Sequence, residues 1–367
     1  MDKITVPIEI KGGRIWLPIT IQEHISNKFF KIYIEDRSFI TKLTKDGRFF
    51  IPVEIRNKLN IFDGKKCNID IELLESLEKP KYFLTDNYID LLFFVPEKTL
   101  SGFEILILEE GTDKVRLWYS TKGRPNEIIL NRFVPLEFVR LLGYYQAEGG
   151  KRVLTKRRGR ELNFTNTSLD IIFDFISLSK FIVDIHEWKI SVRFNENIEI
   201  EELANLIKIF TDLRIIDKNI HISQAERISR YTIKLWITNS LIAELIFNCM
   251  DEIRKYLANS DSDQTNLLLA SYFLQGVIAG DGNIYCVKGR KYSLHPRLCI
   301  FESNEGSLRD YSILLQKFGI VGNYVKRRNK NYFIYSGYIN SHNLRNVLSY
   351  RLLNYSKDNF KRLMIKI

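Results

Sequence analysis

LLGYYQAEG at residues 141–149 and LQGVIAGDG at residues 274–282 are each an apolar, helix-compatible run that carries a carboxylate immediately before a glycine. Gly143 and Ala147 lie four positions apart in the first, and Gly276 and Gly280 four apart in the second, so each helix would present one smooth stripe. Two such stripes let helix backbones approach closely, and these four small residues form the expected helix interface. That packing would bring Glu148 and Asp281 together at the helix C-termini, where unpaired carbonyls and the negative ends of the helix dipoles also gather. Two carboxylates alone are unfavourable there. A hard divalent cation such as Mg²⁺ resolves the conflict, because it takes oxygen ligands and keeps waters for chemistry.

The paired motif resembles that of the LAGLIDADG homing endonucleases. Leu141, Gly143, Ala147, Glu148 and Gly149 fill the first copy, and Leu274, Gly276, Asp281 and Gly282 the second. Gln146 stands where the consensus has its first acid, and Ala279 and Gly280 stand where the second copy would read Asp and Ala. The resemblance implies an α+β protein with a pseudo-twofold pair of αββαββα units and saddle-shaped antiparallel sheets. It further implies a monomer that binds double-stranded DNA and hydrolyses both strands. Glu148 and Asp281 would hold Mg²⁺, with Mn²⁺ able to substitute, helped by the carbonyls of Ala147 and Gly280. Lys326 and Lys330 are the expected catalytic assistants in the second half, and Arg227 and Arg230 lie on the comparable strand of the first.

The sequence after each motif repeats as well. Residues 161–165 (ELNFT) lead to Asn166, Ser168 and an apolar-periodic run to 182; residues 298–301 lead to Asn304, Ser307 and a similar run to 318. Both halves therefore read as helix, basic-tipped hairpin and capped helix, followed by a strand and helix at 231–253 and 332–353. The first half is longer, because 133 positions separate Glu148 from Asp281. Its surplus is the helix-like stretch 200–213, to which we assign a packing role.

The chain has 55 Lys and Arg against 44 Asp and Glu, a formal net charge of +11. Such an excess suits a polyanionic partner, whose binding would weaken steeply with salt. The basic residues cluster at turns: Lys156, Arg157, Arg158 and Arg160; Lys288, Arg290 and Lys291; and Arg327 and Arg328 between Lys326 and Lys330. We read these, with Arg227 and Arg230, as DNA contacts; a solvated basic surface is the alternative for each cluster.

GRIWLP at residues 13–18 returns as GRFFIP at 47–52, an offset of 34 positions, and a helix-compatible turn follows each copy. The second copy resembles the SpoVT/AbrB-type swapped-hairpin domain closely and the first in outline, which implies a small β-barrel built within one chain. Arg14, Lys45, Arg48 and Arg56 are then candidate phosphate contacts, and a structural or docking barrel is the other reading. The expected organisation is this barrel at 1–78, a β-rich linker subdomain at 79–134, and the two repeats at 135–258 and 259–367.

The four cysteines form no C-x-x-C pair and the five histidines show no ligand spacing, so neither a zinc site nor a disulfide framework is expected. No apolar run reaches membrane-spanning length and no signal-peptide pattern opens the chain, which suggests an intracellular, cytoplasmic protein without membrane contact. Two other functions stay open on the same scaffold: a DNA-binding regulator that does not cut, and an RNA-splicing maturase.

Overall fold

The computed structural model describes residues 3–364 except 27, 45, 86, 100, 122–123, 151–160, 213–218, 227–229, 289–293 and 327–331. The chain divides into two compact units, one of Met1–Lys81 with Pro96–Arg132, the other of Tyr82–Val95 with Phe133–Ile367. Among the described residues no helix is long and apolar enough to cross a membrane.

The first unit begins with β1 (Ile4–Lys11), β2 (Arg14–Trp16), α1 (Ile19–Ile25), β3 (Phe29–Ile34), β4 (Arg37–Lys42), β5 (Arg48–Phe50), α2 (Val53–Lys58) and β6 (Lys66–Leu74). Apolar residues alternate along the longer strands, burying Val6, Ile8 and Ile10 on β1 and Phe30, Ile32 and Ile34 on β3. The strands form one sheet in the order β4-β3-β6-β1-β2-β5. Its outer strands come together where the Thr44 amide donates to the Arg48 carbonyl at 2.7 Å, so the sheet is nearly closed.

The two GR-containing repeats face each other inside this sheet, with Ile15 opposite Phe49. Gly13 and Gly47 adopt φ values of +68° and +71°, a region that favours glycine at the head of each repeat. A methyl group on Gly13 would strike Arg56, and one on Gly47 would strike Gln22. Gln22 and Arg56 are themselves 34 positions apart, so each repeat lends an equivalent side chain to the other. This geometry is an internal twofold exchange.

Residues 79–134 do not stay together. β7 (Tyr88–Asp90) belongs to the second unit; β8 (Leu106–Glu109), β9 (Lys114–Thr121) and β10 (Arg124–Asn131) form a meander in the first; β11 (Phe133–Pro135) returns to pair with β7. The stretch just before, 75–80, is held rather than free: the Leu77 amide donates to the Ile107 carbonyl at 2.9 Å. Tyr82–Val95 docks through Phe83, whose ring lies 4.9 Å from that of Tyr256, and through the Phe94 carbonyl, which accepts from Asn248.

The rest of the second unit runs twice through a similar path. The first half comprises α3 (Phe138–Glu148), β12 (Leu162–Asn166), α4 (Leu169–Ser179), β13 (Lys189–Phe194), α5 (Ile200–Asp212), β14 (Ile220–Gln224), β15 (Tyr231–Ile237) and α6 (Ser240–Asn259). The second comprises α7 (Gln264–Asp281), β16 (Gly282–Lys288), β17 (Leu294–Glu302), α8 (Glu305–Lys317), β18 (Gly322–Lys326), β19 (Phe333–Tyr338), α9 (Ser341–Ser349) and α10 (Lys357–Met364). The sheet of the second half, ordered β16-β17-β19-β18, is antiparallel throughout. The sheet of the first half, ordered β12-β15-β13-β14, is not, because β14 pairs parallel to β13. The first sheet therefore departs from the expected all-antiparallel form. Parallel neighbours need a long crossover, and α5 supplies it. Leu206 and Phe210 of α5 are buried, the Phe210 ring lying 6.3 Å from that of Phe173 on α4.

The helices α3 and α7 pack along their small-residue stripes. A Cβ on Gly143 would stand 2.1 Å from the Phe273 carbonyl oxygen, and one on Gly276 would stand 2.4 Å from that of Arg140. Backbone therefore touches backbone. Burial of Leu269, Ala270, Phe273, Leu274, Val277 and Ile278 encloses α7 on several sides, as its nearly uninterrupted apolar sequence requires. Gly276→Ala should destabilise the protein by about 3 kcal/mol, at the upper end of the cost of forcing extra volume into a packed core. Gly306→Ala at an exposed position of α8, where the new methyl meets only the Asn304 side chain at 3.2 Å, should be neutral or stabilising by up to about 1 kcal/mol. Urea titration of both variants measures the contrast.

Candidate active site

The close contact at Gly143 and Gly276 continues to the helix ends. A Cβ on Gly280 would lie 2.6 Å from Ala147 Cβ and 2.9 Å from Glu148 Cγ, so the last turns abut and Glu148 reaches the residue preceding Asp281. All four expected interface residues take part. Both helices end identically: the Gly149 amide donates to the Tyr145 carbonyl, and the Gly282 amide to that of Ile278. These glycines have ordinary negative φ and are required for space, since a methyl on either would stand within 2.4 Å of that same carbonyl oxygen.

Glu148 is half-buried, and among the described residues no hydrogen bond or ion pair engages its carboxylate. Burial alone raises its pKa. The Asp281 carboxylate is also half-buried and contributes, after burial and Glu302, to the raised pKa of the Tyr311 phenol.

A polar network underlies the site. The Gln146 amide accepts from Arg254 Nη1 at 2.7 Å and donates to Glu302 Oε2 at 3.3 Å. Tyr311 donates to the same Glu302 oxygen at 3.1 Å, and Arg254 Nε donates to Asp310 at 2.9 Å. Position 146 thus lies between a cation and a carboxylate. An amide satisfies both neighbours, whereas an acid there would face Glu302 with like charge. On the other side of α3, Arg140 makes a bidentate pair with Asp174 at 2.6 and 2.9 Å, and Tyr144 donates to the same carboxylate.

The chain leaving Asp281 is clamped from α10. The buried Asn359 side chain accepts from the Ile284 amide at 2.8 Å and donates to the Gly282 carbonyl at 2.9 Å, while Arg362 donates to Asn283. Asn359 completes the open edge of β16 as a neighbouring strand would.

Each sheet buries one face and leaves the other open. On the first, Asn163, Trp236 and Lys189 form one cross-strand row; Thr165, Lys234, Ser191 and His221 form the next; Thr232, Arg193 and Ser223 form the third. On the second, Tyr285, Arg297 and Tyr338 align, with the Arg297 guanidinium 3.7 Å from the Tyr338 ring centre and the Tyr285 hydroxyl 3.1 Å from that of Ser336. Cationic and aromatic groups interleaved on a strand face suit a nucleic-acid backbone and its bases. Charge clustered at turns does not reveal these faces, whereas the alternation in KISVRF (189–194) and YTIKLWI (231–237) carries the signal.

The other expected site residues fall in varied places. Lys326 lies at the end of β18 in a cross-strand row with Phe333 and Glu302, its ammonium 5.5 Å from the Phe333 ring centre. Arg230 pairs with Glu202 of α5 at 2.7 Å. In the first unit, Arg48 pairs with Asp46 at 2.6 Å, Arg14 lies 5.1 Å from the Phe50 ring centre, and Arg56 packs over Gly13. Lys45, Lys156, Arg157, Arg158, Arg160, Arg227, Arg290, Lys291, Arg327, Arg328 and Lys330 lie outside the described residues, as does the side chain of Lys288.

Residues 269–367 match the LAGLIDADG-like domain family. Among solved structures, mesophilic variants of the homing endonuclease I-DmoI are similar at 16% identity, over 58% of this chain and 93% of that one, with a TM-score of 0.35. I-DmoI in complex with DNA and Mn gives 16% identity, 58% and 94% coverage and the same score. Full-length DUF199/WhiA from Thermatoga maritima gives 16% identity, 62% and 60% coverage and a TM-score of 0.32. Comparison with curated proteins returns no match.

Glu148 yields a prediction in its own right. Because its pKa is raised, the folded protein retains a proton there that the unfolded chain releases, so stability falls as pH rises from the ordinary glutamate range through the raised value. Glu148→Gln removes that loss. In chelator the variant should melt above the parent at pH 8 and level with it near about pH 4. Mg²⁺ should raise the parent Tm at pH 8 and leave the variant unchanged. A variant that melts below the parent at pH 8 in chelator would contradict the assignment.

Proposed function

We propose that this protein is a site-specific double-stranded DNA endonuclease of homing type that acts as a monomer with a divalent metal. One observation carries the reading: two half-buried acids, Glu148 and Asp281, end helices whose last turns abut, and Glu148 has no partner among the described residues. No group of three or more His, Cys, Asp or Glu side chains assembles among the described residues. The donor set still fits Mg²⁺ or Mn²⁺, since Mg²⁺ is held by one or two carboxylates together with waters and substrate phosphates. Glu148 and Asp281 would hold the metal, with the Ala147 and Gly280 carbonyls beside them. Bound there, it supplies an activated water and charge stabilisation at the scissile phosphate.

The chain's own groups do the rest. The glycine contact sets the spacing of the acids, and the Gln146 amide separates Arg254 from Glu302 without adding charge. Asn359 fixes the backbone just after Asp281. The open sheet faces would bind the duplex, with Lys189, Arg193, Lys234 and Arg297 on phosphate and the turn clusters outside the described residues extending that contact. Lys326 and Lys330 would stabilise developing charge in the second half, and Arg227 would do so in the first. Arg230, tied to Glu202, would be freed for that role only by rearrangement. The N-terminal unit we read as a duplicated AbrB-like barrel that adds phosphate contacts through Arg14, Lys45 and Arg48.

The small donor set, with no group of three or more His, Cys, Asp or Glu among the described residues, favours one competing reading, a DNA-binding regulator on the same scaffold that binds without cutting. Selecting a cleavable site from a duplex library in Mg²⁺, with a parallel gel shift in Ca²⁺, separates the two. The parent should cut its selected site. Glu148→Gln combined with Asp281→Asn should lose more than about 100-fold in cleavage while retaining binding within a few-fold, since loss of a metal's direct ligands exceeds the cost known for outer ones. Binding without cutting by the parent in both Mg²⁺ and Mn²⁺ would establish the regulator.

A further inference from the structure

Among the described residues, three strands of the first half of the second unit correspond to three strands of the second. β12, β15 and β13 pair in the order and senses of β17, β19 and β18. The chain after α3 runs beside β12, through the Gly149–Phe164 bridge and the Gly150 amide on the Asn163 carbonyl, as β16 runs beside β17. Among the described residues β14 has no counterpart. It arrives with α5 inside the connection between β13 and β15, where the second half has only the β18–β19 connection.

β14 continues the open face. Its register with β13 sets His221 beside Ser191 and Ser223 beside Arg193, with both His221 and Ser223 exposed. The His221 ring lies 5.4 Å from that of Trp236, whose cross-strand neighbour is Lys189. Lys234, two residues earlier on the same face, has its ammonium 5.4 Å from the Trp236 ring centre. The added strand therefore lengthens a cationic and aromatic surface instead of starting a separate one. α5, which precedes β14 in the chain, is itself anchored through the buried Leu206 and Phe210.

We infer that β14 is an added DNA-reading strand, so that the duplex half-site facing the first sheet is longer than the half-site facing the second. The inference rests on the endonuclease reading for its partner. A strand widens a sheet by about 4.8 Å, against a rise of about 3.4 Å per base pair, so the added contact spans about one to two base pairs. The occupant is a polyanion on grounds of charge: Lys189, Arg193 and Lys234, the last also paired with Glu161 at 2.8 Å, share the face with His221 and Ser223.

The test uses the full chain and the duplex selected with the parent. Hydroxyl-radical footprinting in Ca²⁺ should show protection extending further from the cleavage centre on one side by about one to two base pairs. His221→Glu combined with Ser223→Glu should remove that extra protection on the long side alone and weaken binding at least about fivefold. His221→Ala combined with Ser223→Ala, with a melt matching the parent, should relax base preference at the outermost positions of the long side only. A symmetric parent footprint, or variants that leave the long side and its base preferences intact, would overturn the inference and leave the endonuclease reading standing. A parent that protects no duplex at all would instead overturn that reading and this one with it. If light scattering shows a dimer that the Glu variant dissolves, β14 pairs copies of the chain and does not read DNA.

Discussion

In the C-terminal unit everything functional hangs on the contact of two peptide backbones, at Gly143 and Gly276. The space that a Cβ would take at either position is already occupied by a carbonyl oxygen of the other helix. Such proximity is reachable only without side chains, and it dictates the rest. Once α3 and α7 are this close, their final turns must abut, and the acids that end them must share one small region. The same approach leaves the terminal carbonyls and both negative dipole ends in that region, which makes it hostile to anions and receptive to a hard cation. Burial of α7 then follows as a packing requirement, since a helix contacted on several sides has no solvent face to keep polar.

Much of this was legible in the residues. The repeated glycine spacing gave the helix pair, the carboxylate before each glycine gave the candidate acids, and the strands and helices after each motif lie close to where their periodicity places them. What could not be read depended on partners remote in sequence. The glutamine at position 146 looks like a lapse from consensus until Arg254 and Glu302 are seen on either side of it. The stretch 200–213 reads as an amphipathic helix, but its role as a crossover appears only with the parallel pairing of β13 and β14. Asn359 lies 75 residues from the amide that it accepts from, and no local pattern marks it. Charge at turns drew attention in the sequence, whereas the charge on alternate strand positions is spread thinly enough to pass as ordinary solvent exposure.

The N-terminal unit shows what tandem duplication permits. Gln22 and Arg56 occupy equivalent places over the glycine of the opposite repeat, yet they differ in size and charge. In a symmetric homodimer the two positions would carry the same residue. Placing both repeats in one chain lets each side of the twofold be tuned alone, while the outward pairs keep the symmetry, Arg14 opposite Phe50 and Arg48 opposite Trp16.

The strand order of that sheet also bears on how the protein is made. β6 is the last strand of the six in sequence, but it is inserted between β3 and β1. Until Leu74 has been synthesised, the β1–β2 and β3–β4 pairs each carry an unpaired edge, and at about 5–20 residues per second the wait lasts several seconds. Bare strand edges are templates for misassembly between nascent chains. Pro7, in the middle of β1, offers no amide hydrogen to such a template. The nascent chain therefore carries its safeguard on the strand that waits longest for its partner.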